Sequence, residues 1–85
     1  MDGHRIPIRR SADKEITRLP QATREAVVRR SRALGEEPRP PGSQKLSGRD
    51  GYRIRQGDYR VVYVIEPPDV VLVVKIGHRR DVYRD

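Results

Sequence analysis

Cysteine is absent from this chain of 85 residues. That removes disulfides, zinc–thiolate sites and thiol nucleophiles together. A domain this small without covalent staples depends on its core, on a partner, or on both. Aromatic side chains are few: four tyrosines, with no tryptophan and no phenylalanine. Long apolar runs are missing too. The first residues lack the apolar stretch of a secretory signal, and the run Val70 to Val74 is far short of the roughly 20 residues that span a bilayer. No amphipathic helix sets a basic face against bulky apolar residues, so a membrane surface is not the expected partner. The expected location is the cytoplasm. Negative charge is also scarce, with 12 Asp and Glu against 19 Lys and Arg. The carboxylates are scattered. No pair has catalytic spacing, no His/Asp/Glu set resembles a metal site, and no glycine-rich phosphate loop occurs. Any catalysis falls to Arg, His, Tyr and Lys, with no metal and no cofactor.

What remains is a small, basic domain, read as one unit over residues 1–85. A chain of this length buries only about 60–65% of the surface its unfolded form exposes. That leaves no room for a deep cofactor pocket. Hydrophobic content is 34%, low but concentrated in apolar strand runs, so a folded domain is expected. The net charge of +7 points to a polyanionic partner, nucleic acid or ribosome. The alternative is a charge that serves solubility alone.

His4 to Arg9 alternates around Ile6 and Ile8 and reads as a short edge strand, where Pro7 is tolerated. Ser11 reads as an N-cap, with Asp13 and Glu15 in the positive first turn. Ala12, Ile16 and Leu19 then recur at helical spacing. Pro20 suits the first position of a second helix, which would turn Ala22, Ala26, Val27, Ala33 and Leu34 inward and Arg24, Arg29, Arg30 and Arg32 largely outward. Gly35 stops it. Glu36 to Ser43 is a proline-rich connector. Strands follow at Tyr52–Gln56, Tyr59–Ile65 and Val70–Ile76, and a basic tail begins after Gly77. The fold class is α+β: a small antiparallel sheet of about four strands with an N-terminal αα-hairpin packed on one face.

Register converts this outline into chemistry. Gly57-Asp58 is a hairpin signal of the kind with glycine first. With those two residues as the loop, Gln56 faces Tyr59 and Arg55 faces Arg60. Side chains alternate across a strand, so Arg53, Arg55, Arg60 and Val62 share one face. Tyr52, Ile54, Tyr59, Val61 and Tyr63 share the other, which the helices cover. If Glu66–Asp69 is a four-residue loop, Arg60 faces Lys75 and the open face carries Arg53, Arg55, Arg60 and Lys75 together. Val62, Val64, Val71 and Val73 would form an apolar patch beside those charges, fit for a partner segment. Like charges directly opposite one another destabilise a sheet. An anion explains them better than stability does, and the arginine fork matches phosphate oxygens in a bidentate way.

Beyond the strands, His78 sits beside Arg79 and Arg80. A lone histidine is usually a surface or hydrogen-bonding residue. In a cationic setting its neutral form is favoured, and neutral imidazole can act as a general base. Tyr83 either packs its ring on the sheet edge, stacks on a base, or assists proton transfer.

The segments Leu19-Pro20, Glu37-Pro-Arg-Pro40, Lys45-Leu-Ser-Gly48, Tyr52-Arg-Ile-Arg55, Gly57-Asp-Tyr-Arg-Val-Val-Tyr63 and Gly77-His-Arg-Arg-Asp-Val-Tyr-Arg84 resemble the RelE branch of the RelE/ParE toxin superfamily. The resemblance runs over nearly the whole chain. It implies the toxin of a type II toxin–antitoxin pair: a metal-independent endoribonuclease that enters the ribosomal A site and cuts mRNA there by attack of the ribose 2′-OH on the adjacent phosphate. It also implies a cognate antitoxin as partner. By resemblance the site positions are Arg53, Arg55, Arg60, Arg79 and Tyr83. Taken with the register and the basic tail, the expected catalytic set is Arg55, Arg60, His78, Arg79 and Tyr83, with Arg53, Lys75 and Arg80 holding RNA. Arg79 would stabilise or protonate the leaving side. Relatives carry lysines where this chain has Arg53 and Arg55. Arginine does not deprotonate in proteins, so either His78 or Tyr83 takes the role of proton acceptor or the activity is weaker. Two other readings stand beside this one: a ParE-like DNA gyrase inhibitor and a non-catalytic RNA-binding module.

Overall fold

A computed structural model of the chain describes residues 7–48, 50–66 and 70–78. Helix α1 spans Arg10–Thr17 and helix α2 spans Gln21–Ala33. Four strands follow, β1 at Gln44–Lys45, β2 at Tyr52–Gln56, β3 at Tyr59–Glu66 and β4 at Val70–His78. They form one antiparallel meander in the order β1-β2-β3-β4, and the helical hairpin packs on one side of it. The expected fold class is the one observed.

The start of α1 is set by the strand before it, not by Ser11. Ile8 forms a parallel bridge with Val73, the Arg9 amide donates to the Val73 carbonyl at 2.8 Å, and the Val73 amide donates to the Pro7 carbonyl at 3.1 Å. Arg9 is therefore held in an extended conformation, and helical hydrogen bonding begins from its carbonyl, which accepts from the Asp13 amide at 2.9 Å. Ser11 lies inside the helix. The N-terminal strand is thus a single bridge among the described residues, and His4 and Ile6 lie outside them. Pro20 is the N-cap of α2, not its first residue, with its carbonyl accepting from Arg24 at 2.8 Å. The buried stripe of that helix is Val27, Ser31 and Leu34. Ala22 and Ala33, expected inside, are exposed. No left-handed glycine ends α2. The Gly35 amide bonds back to the Arg32 carbonyl at 3.0 Å, a tightened last turn.

Gly57 takes φ 62°, and no non-glycine residue among those described has positive φ. The β2–β3 turn is therefore of the kind with glycine first, and the register follows as expected: Gln56 opposite Tyr59, Arg55 opposite Arg60, Arg53 opposite Val62. The short β1 was not anticipated. It begins just past the connector's expected end at Ser43, and a two-residue strand carries too little periodicity to reveal itself.

The β3–β4 hairpin corrects two expectations. Glu66 pairs with Val70, so the loop has three residues rather than four. That single step turns Val71 and Val73 inward, where they are 2% and 0% exposed. The expected open patch loses both. Val64 and Leu72, paired and half-buried, occupy the open side instead. A bulge then intervenes between Val62 and Tyr63, and beyond it Lys75 pairs with Val62 rather than with Arg60.

The core lies between helices and sheet: Ala12 and Ile16 from α1, Val27 and Leu34 from α2, and Ile54, Val61, Tyr63, Val71, Val73 and Ile76 from the sheet. Tyr63 is fully buried, and its hydroxyl donates to the Pro38 carbonyl at 2.6 Å. Burial pushes the Tyr63 phenol above its ordinary value of 10.0. The connector is in this way tied to the core. Tyr52 stacks on Tyr63 at 5.8 Å, and Arg39 and Lys45 lie over the Tyr52 ring at 5.5 and 5.7 Å.

Candidate nucleic-acid interface

The face of the sheet opposite the helices is built in two cross-strand rows. One holds Gln44, Arg53, Val62 and Lys75. The next holds Arg55, Arg60 and Gly77. Neighbouring positions in such a row lie about 4.5–5.5 Å apart. Four cationic side chains therefore start from two adjacent rows of the sheet. Lys75 reaches this face by a different route from the one expected. The shortened loop alone would have sent it inward, and the bulge returns it.

Each side chain is held differently. Arg53 is half-buried, and its Nη2 donates to the Gln44 side-chain oxygen of β1. That bond ties one guanidinium nitrogen to the neighbouring strand. Arg55 is exposed. Arg60 is half-buried, and its Nε is enclosed with no hydrogen-bond partner. A cationic donor enclosed without an acceptor is costly, and an anion gathered on this face would lower that cost. Val62 is only 7% exposed although it faces away from the helices. Its neighbours in the row are Arg53 and Lys75, whose aliphatic stems can cover it while their charges stay in water. The cations thus rest on an apolar floor.

His78 does not join them. It ends β4 opposite Tyr59, and the two rings meet edge to face at 5.7 Å and 78°. Tyr59 belongs to the helix side and lines the same recess as Ala22, Thr23 and Ala26 of α2. The histidine is therefore across the sheet from Arg55 and Arg60. Arg79, Arg80 and Tyr83 lie outside the described residues. Gln44 was missed in the sequence because β1 was missed, and its only signal is the polar residue just before Lys45. Among the described residues, no group of three or more His, Asp or Glu could hold a metal ion, and no helix is long and apolar enough to cross a membrane.

Comparison with known proteins bears on the family and the fold. A family model described as the ParE toxin of type II toxin–antitoxin systems matches residues 6–83. Among solved structures, the archaeal RelE–RelB complex from Pyrococcus horikoshii OT3 contains a chain 29% identical, with TM-score 0.74, over 96% of this chain and 100% of that one. The intact E. coli RelBE toxin–antitoxin complex gives 29% identity and TM-score 0.75, over 89% of this chain and 96% of that one. The RelBE2 complex from Mycobacterium tuberculosis has the same fold, with 24% identity and TM-score 0.76 over 89% and 98%. No curated protein sequence matches the chain.

Proposed function

The chain belongs to the ParE toxin family of type II toxin–antitoxin systems, within the RelE/ParE superfamily, and from that premise we propose that it is a RelE-type endoribonuclease that cuts mRNA on the ribosome. The observation that carries this reading is the cationic sheet face: Arg53 and Lys75 in one row, Arg55 and Arg60 in the next. Such a face has no stabilising purpose of its own. It suits a phosphodiester whose charge grows in the transition state.

In this proposal Arg53 and Lys75 hold the RNA backbone, together with Arg80. Arg55 and Arg60 bind the scissile phosphate. The 2′-OH attacks that phosphorus, the bond to the 5′-oxygen breaks, and the products are a 2′,3′-cyclic phosphate and a 5′-OH. Arg79 stabilises the leaving oxygen, which takes its proton from water or from the group that accepted the 2′-OH proton. The 2′-OH proton needs an acceptor, and Arg55 cannot be one. Because His78 pairs with Tyr59 on the helix side, we assign the acceptor role to Tyr83 ahead of His78. Tyr83 lies close in sequence to Arg79, Arg80 and Arg84, and its phenol oxygen is a group that can accept a proton once ionised. Partners in this reading are a cognate antitoxin, consistent with the relatives' own toxin–antitoxin complexes, and the ribosomal A site with mRNA. The site of action would be the cytoplasm.

The family description favours one second reading, a ParE-like gyrase inhibitor. Induced expression with mapping of mRNA 5′ ends separates the two. Cuts within translated codons, ending in cyclic phosphate and 5′-OH, support the nuclease. DNA breaks with intact mRNA refute it. General-base assistance is worth about 10²–10⁴ in rate, so Tyr83→Phe should lose activity on that scale and His78→Ala far less.

A further inference from the structure

The bulge in β4 decides which side of the sheet carries Lys75. Tyr63 pairs with Val73 and Val62 with Lys75, so Val74 is the extra residue. Without it, Val62 would face Val74, and Lys75 would face Val61 in the core. The bulge sends Lys75 into the row of Arg53 and buries Ile76 to 1% exposure. A bulge disrupts the ladder locally, and something must keep it from moving along the strand.

The free edge of β4 carries the answer. At Val73 both outward backbone groups are taken by the N-terminal segment, through Arg9 and Pro7. Outward groups recur every second residue in a regular strand, so the next outward amide would be that of Lys75. The amide that is engaged belongs to Ile76, which donates to the Glu15 side-chain oxygen at 2.8 Å. The two anchor points are three residues apart. Satisfying both at once requires one extra residue between them, and that is Val74. Glu15 stands on α1 beside the buried Ala12 and Ile16, so its position is fixed by core packing.

We propose that Glu15 is a positioning residue of the cationic site: its carboxylate pins the β4 bulge between Val73 and Ile76 and so keeps Lys75 on the RNA-facing side. The functional half of this inference rests on the RNA-binding reading above, and the structural half does not. Glu15 touches no substrate in this scheme. It acts through Lys75 and through Gly77, the residue opposite Arg60.

Two NMR measurements test the structural half. In the parent protein the Ile76 amide should exchange slowly although it lies on a sheet edge, and the Val61 and Ile76 Hα protons should show a close contact. Glu15→Ala should speed Ile76 exchange by about tenfold or more, the loss of a hydrogen bond to a charged acceptor, and weaken the Val61–Ile76 contact. Glu15→Gln keeps a side-chain carbonyl and should preserve both. Fast Ile76 exchange in the parent protein, or an unchanged contact in a folded Glu15→Ala protein, overturns the proposal. The functional half is read by binding to mRNA-programmed ribosomes. Lys75→Gln should weaken binding severalfold in the parent and change it little in the Glu15→Ala background. Equal losses in both backgrounds overturn the positioning role. If Lys75→Gln leaves binding unchanged in the parent, the RNA reading of Lys75 fails, and the exchange and contact measurements still decide whether Glu15 pins the bulge.

Discussion

Arg55→Gln should weaken RNA binding and stabilise the fold at the same time. Arg55 stands directly opposite Arg60 across the β2–β3 ladder. Like charges in that relation cost about 0.2–1 kcal/mol, and the exposure of Arg55 to solvent favours the lower half of that range. For a domain of this size a gain of about 0.5 kcal/mol raises Tm by roughly 2–4 °C. The gain should be largest at low ionic strength and shrink as salt screens the pair. Binding moves the other way. Each phosphate contact to a single strand contributes about 0.7 to the slope of log affinity against log salt. Four cations give a slope near −2.8, a loss of about 50-fold between 50 and 200 mM salt; three give about −2.1 and about 20-fold. The assay is binding to ribosomes programmed with message at fixed magnesium across a salt series, alongside thermal unfolding in the same buffers. A flatter slope with a raised Tm is the expected result. A parent-like slope refutes the phosphate contact. A lowered Tm refutes the argument that this pair is strained for function.

Three further outcomes concern the scaffold. Ser31 is 1% exposed, and its hydroxyl has no hydrogen-bond partner. Ser31→Ala should therefore gain about 0.5–2 kcal/mol from relieved desolvation and better helix propensity, seen as a higher urea midpoint; a lower midpoint would show that the hydroxyl is satisfied. Tyr63→Phe loses the bond to the Pro38 carbonyl and should cost about 1–2 kcal/mol at neutral pH. Because burial raises the Tyr63 phenol above 10.0, its stabilising contribution is complete below that pH and fades as pH climbs through the raised value. The gap between Tyr63→Phe and parent should accordingly narrow in alkaline titrations, and a constant gap would contradict the shift. Gly51 has φ 127°, and a Cβ there would meet the Tyr63 carbonyl oxygen at 3.2 Å and Leu46 Cδ1 at 3.3 Å. Gly51→Ala should cost about 1–3 kcal/mol, measured by chemical denaturation, and parent-like stability would rule out both the strain and the contact.

Local chemistry makes much of this protein legible in its sequence. Gly57-Asp58 specifies a turn that only glycine enters cheaply, and from that turn the alternation of β2 and β3 follows residue by residue. Arg53, Arg55 and Arg60 on one face and Ile54, Val61 and Tyr63 on the other are consequences of period-two geometry and a single buried side. The helical hairpin was readable for the same reason, since apolar spacing near 3.6 leaves one face to cover the sheet.

The remainder depended on contacts between residues far apart in sequence. Nothing local in Glu66 to Asp69 states whether three or four residues close the loop, yet that one residue decides whether Val71 and Val73 are surface or core. The β4 bulge has no local signature either. It exists because Ile76 is drawn into the core while the Val73 backbone is held by Pro7 and Arg9 and the Ile76 amide by Glu15, 61 residues away. His78 illustrates the same limit. Its sequence neighbours are cations, but pairing turns its ring toward Tyr59 on the helix side. The sequence by itself determined the elements, the β2–β3 register and the cationic character of one face, because these follow from rules that act over a few residues. Only the tertiary structure decided the β4 register, the route by which Lys75 joins the arginines and the separation of His78 from them, because each depends on which distant groups compete for the same strand edge and the same core volume.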